Sequence, residues 1–409
     1  MTSTASSPSS QSRPLCVLAF SGGLDTSFCV AHLSRDRGYD VIAACVDTGG
    51  FSDEELSQIE ARALEVGAKE YVRIDASQAL YDQVLAHLIR ADALRGGVYP
   101  LSVAAERVLQ AAELCRYAHE RGAQAIAHGS TGAGNDQLRF DVAARVFAPK
   151  ATLITPIREG SLSREASTQY LRELGFTVED KTTRYSINQG IWGTTIGGGE
   201  THDGWAEVPD EAYTTVSPQD APDEAEELTL SFEQGLPVAL NGERLAPITL
   251  IQRLAALGSA HGVGRGIHVG TTVLGVKGRI AFEAPGPYII IEAHKALGKL
   301  VLTRQQESLA RHIGAQYSDA LHNGLFFDPA MRDIEACLAS QQRRVTGDVR
   351  LKLFKGHISV TGTRSSYSLL GRGATYGEQA KAFNGAEAAG FCKVYAMESA
   401  LSMAAGRES

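Results

Sequence analysis

Residues Leu15 to Arg37 read LCVLAF, SGGLDTS, FCVAHLSRDR, and everything else in the chain is organised around them. Six mostly apolar residues, Leu15 to Phe20, suit a strand covered on both faces, as in a parallel sheet. Gly22 and Gly23 then break the pattern. Without Cβ atoms they let the backbone turn sharply and bring consecutive N–H groups close to a bound anion. The helix that follows has Phe28, Val30, Ala31 and Leu33 for the sheet side, and its N-terminus aims at the same point. That arrangement is a phosphate seat. Ser21, Thr26 and Ser27 add hydroxyl donors, and Asp25 is placed to hold a metal ion or to orient a neighbour.

No GxxxxGK[ST] is present in this loop, so it is not a Walker loop. It resembles instead the SGGxD[ST] pyrophosphate loop of AMP-forming ATP pyrophosphatases, which split ATP between its α and β phosphates.

With 409 residues the chain exceeds one typical core, and two domains are expected. Its 44% hydrophobic content and 13 prolines are those of an ordinary soluble globular protein. A net charge of −8 argues against nucleic acid as the main partner. The six cysteines, Cys16, Cys29, Cys45, Cys115, Cys337 and Cys392, are scattered and form no CxxC, which predicts reduced thiols in a cytoplasmic protein and no zinc site. No apolar run is long enough to span a membrane. Residues 1–14, Ser/Thr-rich with a single arginine, predict a flexible tail and no signal or transit peptide.

Taken in order, Val41 to Val46 predicts a second strand ending in DTGG, and Ser52 with Glu55 forms a capping box for a helix to about Val66. Tyr71 to Ile74 and Ala123 to Ala127 read as further strands, separated by helical patterns over Ala79 to Ala91 and Val103 to Glu120. Leu153 to Ile157 reads as the last strand, and Arg164 to Leu174 as a helix closed by Gly175. Strands alternating with helices predict a doubly wound parallel sheet over 15–180, with ligands beyond the carboxyl ends of its strands. Between Tyr185 and Glu243 there is no Lys or Arg, and Asp and Glu cluster from Asp203 to Glu227, which predicts an exposed connection. Short strands and helices thereafter predict an α+β domain over 181–409. Helical spacing from Ala386 to Ala405 offers an apolar face as a candidate subunit contact, or one that packs on its own domain.

The second informative stretch is HGSTGAGNDQLRFD, His128 to Asp141. Asn135, Asp136 and Arg139 place an amide, a carboxylate and a guanidinium within five residues, a set that can orient an amino acid. Paired with AFSGGLDTS it resembles the argininosuccinate synthase family. YSINQGIWG (Tyr185 to Gly193), HGVGRG (His261 to Gly266), GVKGRIAFEAPG (Gly275 to Gly286), EAHKALGKLVLT (Glu292 to Thr303) and VTGDVRLKLFKG (Val345 to Gly356) extend the likeness over nearly the whole chain beyond the tail.

The resemblance implies an adenine nucleotide alpha hydrolase-like domain, then a synthetase and multimerisation domain, and the ligation of citrulline to aspartate with ATP, through a citrulline adenylate, in arginine biosynthesis. It implies Ala19, Phe20, Ser21, Gly22, Gly23, Leu24, Asp25, Thr26, Ser27, Val46 and Gly129 as ATP contacts. It implies Thr131, Asn135 and Asp136 for aspartate, and Tyr99, Asn135, Arg139, Ser186 and Thr195 for citrulline. Asp25 and Asp136 are the expected metal or ammonium contacts, Mg²⁺ arrives with the nucleotide, and a homotetramer is implied. Three positions depart from the family pattern. Ala104 replaces a serine, with Ser102 nearby as a substitute, Gly270 replaces a glutamate that contacts citrulline, and Phe282 replaces a tyrosine. Ala133 stands where a lysine is common. All three main losses fall on the citrulline side, which leaves open a different AMP-forming ligase or an ATP-binding sensor. An amide synthase would want a glutaminase cysteine, and a tRNA thiolase paired cysteines and a basic face. Neither signal is present.

Overall fold

A computed structural model describes residues 12–178, 184–378, 380 and 382–406. The expected boundary at 180/181 and residues 1–11 of the expected tail lie outside the described residues. Arg13 and Pro14, at the end of that tail, are tied down: Arg13 Nε donates to Gly38 O at 3.0 Å, and Pro14 O accepts from Asp40 N at 2.9 Å.

Strands β1 (Leu15–Ala19), β2 (Asp40–Asp47), β3 (Glu70–Asp75), β4 (Ala125–Ala127) and β5 (Thr152–Ile154) form one sheet in the order β3-β2-β1-β4-β5, every pair parallel. Alternation along β1 explains why its run is apolar throughout. Cys16 and Leu18 pack with Phe28, Cys29 and Val30 of helix Leu24–Arg35 on one face, while Val17 joins Val108, Leu109 and Ala111 of helix Ser102–Glu120 on the side of the other. Each large aliphatic residue buried in this way contributes about 1.5–3 kcal/mol. The strand order reverses between β1 and β4, and such a switch point opens a crevice at the strands' carboxyl ends.

Two antiparallel sheets follow. Strands β6 (Tyr185–Gly190), β7 (Gly193–Gly198), β11 (Arg265–Thr271) and β12 (Lys277–Glu283) pair in the order β11-β12-β7-β6. Strands β8 (Glu226–Glu233), β9 (Leu236–Leu240), β10 (Glu243–Arg244), β13 (Gly347–Phe354) and β14 (His357–Arg364) pair as β10-β9-β8-β13-β14. Helix Pro285–Val301, buried along Ile289, Ile290, Ala293 and Leu297, carries the core of the parallel sheet's inner face into this second half. The contact division of the chain falls at Ser365/Ser366. The C-terminal unit beyond it holds helices Gly385–Tyr395 and Met397–Ala405, none of whose residues is buried.

Several expectations are corrected. The last parallel strand stops at Ile154, because Pro156 sits in the first turn of a short helix, Pro156–Gly160, where its missing N–H costs nothing. The expected C-terminal helix is two helices that meet at Ala396. The acidic stretch from Asp203 is not simply an exposed connection. Arg265 donates to Asp210 Oδ1 at 2.6 Å, Arg279 donates to the carbonyls of Asp203 (2.6 Å) and Ala206 (2.8 Å), and Val208, Ala212 and Ala221 are buried. Two arginines from β11 and β12 thus supply the positive charge that the segment itself lacks.

Glu106 on helix Ser102–Glu120 ties two loops to this frame. Its Oε2 accepts from Thr48 Oγ1 at 2.6 Å and its Oε1 from Trp192 N at 3.1 Å. Burial pushes its pKa above the usual 4.5, so its stabilising contribution is complete below that value and lost as pH rises through the raised pKa. Glu106→Gln reproduces the protonated acid. We expect its melting temperature to match wild type near the low end of the stable pH range and to exceed it by about 2 °C at higher pH. A wild-type advantage that grows with pH would show that the carboxylate is ionised in place.

Candidate active site

A cleft of about 660 Å³ opens at the carboxyl ends of β1 and β4 and is closed on its far side by the β11-β12-β7-β6 sheet. The phosphate end is built by the first turn of helix Leu24–Arg35. Its hydrogen-bond ladder starts with Ser27 N to Gly23 O at 2.9 Å, and no side chain caps it. The amides of Leu24, Asp25 and Thr26 therefore stand ahead of the ladder, the condition for anion binding. Gly22 has φ +74°, and a Cβ there would lie 3.1 Å from Ile59 Cγ1, so the turn requires glycine on two counts. The loop after β4 presses on the same turn, since a Cβ on Gly129 would stand 3.5 Å from Asp25 Cβ. Burial raises the Asp25 pKa, opposed by Arg164 Nη1 at 4.0 Å.

Ala19, Phe20, Ser21, Gly23, Leu24, Asp25, Thr26, Val46 and Gly129 all line the cleft. Gly22 and Ser27 do not. Ser27 is buried with its hydroxyl turned to Arg62, whose Nε donates to it at 3.3 Å, because the fourth residue past the turn already faces the helix's packed side.

On the amino-acid side, Tyr99, Thr131, Asn135, Asp136, Arg139, Ser186 and Thr195 share the same cleft. Arg139 Nη1 donates to Asp136 Oδ1 at 2.5 Å, and Arg107 Nε lies 3.4 Å from Asp136 Oδ2. Burial alone would raise the Asp136 pKa, but the two guanidinium groups outweigh it and hold the carboxyl below the usual range. Two imidazoles that no sequence motif marked complete the wall. His322, the last residue of helix Arg304–His322, takes Arg139 Nη2 on its carbonyl at 2.8 Å and pairs Nε2 with Asn135 Nδ2 at 2.9 Å. Burial, with Arg139 and Arg95 beside it, drops its pKa to about 3, so the ring is neutral and its Nε2 accepts. Asn135 Oδ1 is left to accept from Val273 N at 3.1 Å. His268 stacks on Tyr99 with centroids 5.2 Å apart.

The departures from the family pattern are now placed. Ala104 lines the cleft, but Ser102 cannot substitute for a serine there: it is fully buried, outside the lining, and packed against Gly193. Gly270 lines the cleft, and a Cβ on it would come within 2.6 Å of His268 Nε2, so the imidazole fills the room that a larger residue at 270 would need. Phe282 stands behind Tyr99, centroids 5.4 Å apart, and does not reach the cleft.

A parallel sheet with an uncapped helix start at its switch point, facing a charged pocket for small molecules, is the arrangement of a nucleotide-binding enzyme. Residues 15–177 match the family described as arginosuccinate synthase N-terminal HUP domain, and residues 185–402 match its C-terminal domain. The chain is 40% identical over 388 residues to the argininosuccinate synthase of Dehalococcoides mccartyi, covering 94% of this chain and 95% of that one. Identity is 37% over 387 residues to that of Methanocaldococcus jannaschii, covering 95% and 97%, and 40% over 387 residues to that of Geobacillus kaustophilus, covering 94% of each. The chain belongs to the argininosuccinate synthase family, whose members ligate citrulline to aspartate in arginine biosynthesis.

Proposed function

We propose that this cleft carries out that ligation in two steps, with the residues placed above in defined roles. The reading rests on one observation: the uncapped helix start, the Asn135-to-Arg139 set and the antiparallel sheet face a single volume. The ureido oxygen of citrulline attacks the α-phosphorus of ATP, pyrophosphate leaves, and the amine of aspartate then displaces AMP from the activated carbon. A ureido carbon is a poor electrophile until its oxygen becomes a leaving group, which is why ATP is consumed. The amides of Leu24 to Thr26 and the hydroxyls of Ser21 and Thr26 take the charge that develops on pyrophosphate. Val46, whose carbonyl receives Gln110 Nε2 at 3.4 Å, borders the adenine. Arg139 and Tyr99 hold citrulline with Ser186 and Thr195, while Thr131, Asn135 and Asp136 face aspartate. Mg²⁺ enters with the nucleotide, and Asp25, a carboxylate beside the phosphate seat, is the protein ligand suited to it. Orienting three reactants can supply about 7–11 kcal/mol of the barrier, so no covalent enzyme nucleophile is required.

Nucleotide binding is assigned to 15–180 and ligation with multimerisation to 181–409, in a cytoplasmic homotetramer. The C-terminal unit supports the assembly reading: Phe391, Val394, Tyr395, Met397, Leu401 and Met403 are all more than half exposed, an apolar face of the kind that a second copy covers. Deleting residues 366–409 is expected to convert the tetramer to smaller species in light scattering at micromolar concentration. An unchanged mass would remove this unit from the interface.

The deciding experiment is pyrophosphate release from MgATP with aspartate, with and without citrulline. Release only with citrulline, matched by AMP and argininosuccinate, is expected. ATP binding without release would overturn the ligase reading in favour of a sensor.

A further inference from the structure

The acceptor side of the cleft, walled by Tyr99, Arg139, His268, Gly270, Ile280 and His322, has a one-sided charge. Among the described residues that line the cleft, only Asp25 and Asp136 are carboxylates. Asp25 belongs to the phosphate turn near Arg164, and both oxygens of Asp136 face guanidinium groups, Oδ1 on Arg139 and Oδ2 on Arg107. Among the described residues no lining carboxylate is left over for the cation of the ureido substrate.

Donors, in contrast, are in excess. His322 Nε2 accepts from the Asn135 amide, so in the neutral ring the proton sits on Nδ1, and that N–H is buried with no partner. Arg139 uses Nη1 on Asp136 and Nη2 on the His322 carbonyl, and its Nε–H is likewise buried and unpartnered. His268 Nε2, on the ring stacked against Tyr99, is a third buried nitrogen without a partner. Burial and Arg95 lower the His268 pKa, so that ring too adds no charge that would call for an anion by itself. Buried unpartnered donors are costly and are relieved by an acceptor, whereas an ammonium brought here would meet Arg139 with no free carboxylate among the described lining residues to pair it.

We infer that this pocket reads its ureido substrate through the carboxylate and has no free carboxylate that reads the α-ammonium, so that ureido acids without the amine are taken as well as citrulline. The inference rests on the ligase reading for the identity of the substrate class, and it adds which end of that substrate is recognised. A site built to hydrogen-bond a substrate amine rejects an analogue lacking it by about 10⁴-fold or more, and that is the behaviour excluded here.

The test titrates the full-length protein, saturated with a non-hydrolysable ATP analogue, with citrulline, with 5-ureidopentanoate (the same chain without the amine) and with citrulline amide. Citrulline and 5-ureidopentanoate are expected to bind within about threefold of each other, and the amide at least about tenfold more weakly. Binding of 5-ureidopentanoate more than about tenfold weaker than citrulline overturns the inference, as does failure of both acids to bind. Pyrophosphate release with citrulline is measured in parallel. Its presence alongside weak 5-ureidopentanoate binding leaves the ligase reading intact and removes only this inference, whereas its absence removes the ligase reading.

Discussion

Asp25→Ala is expected to fold and to release pyrophosphate about 100- to 1,000-fold more slowly than wild type. The residue sits in the first turn of helix Leu24–Arg35 with its backbone against Gly129, so its place is fixed by two loops. Among the described residues, its carboxylate is the only one lining the cleft that is not engaged by two guanidinium groups. Removing it takes away the group suited to hold the metal of the nucleotide while leaving the amides of the turn in place. The structural cost is small, because a single charge at a helix N-terminus is worth about 0.3–1 kcal/mol. Rapid-quench measurement of pyrophosphate, with a melting curve for each variant, separates the two effects. Turnover within about threefold of wild type would exclude Asp25 from the chemistry. Because burial raises its pKa, the acid limb of the wild-type pH–rate profile should lie above the usual 3.8.

The parallel sheet was legible in the sequence because its central strands β1, β2 and β4 are buried along their length and therefore read as apolar runs, with glycines marking the turns. The capping box at Ser52 and Glu55 is present as written, its two halves being local in sequence. What was illegible is what depends on distant partners. His322 reaches Asn135 from 187 positions away, at the end of a helix whose own periodicity says nothing of its last residue. His268 lies on a strand where an alternating pattern marks a face and not a pocket, and its role follows only from Tyr99 lying beneath it. The acidic segment after Asp203 misled for the same reason: Arg265 and Arg279, more than 50 residues downstream, decide that it is docked. The helical pattern over Ala79 to Ala91 corresponds to a helical run over 77–90, but its π turn at Tyr81–Leu85 has no signature in residue spacing.

Arg139→Lys should raise the KM for citrulline by about 10- to 100-fold while the KM for ATP changes little. A planar guanidinium makes three simultaneous demands on this site: Nη1 to Asp136, Nη2 to the His322 carbonyl, and a buried Nε left for an acceptor. An ammonium keeps the charge but has no rigid fork, so it can serve Asp136 or the carbonyl, not both together with a substrate carboxylate. Loss of one charge-assisted hydrogen bond costs about 1.5–3 kcal/mol, which is the source of the expected change in KM. Arg107 remains against Asp136 and keeps that carboxylate ionised, so aspartate binding should suffer less than citrulline binding. Steady-state kinetics with each substrate varied in turn distinguishes these outcomes. An unchanged citrulline KM would place the substrate carboxylate away from Arg139, and with it the donors that Arg139 and His322 hold unpartnered would need another acceptor.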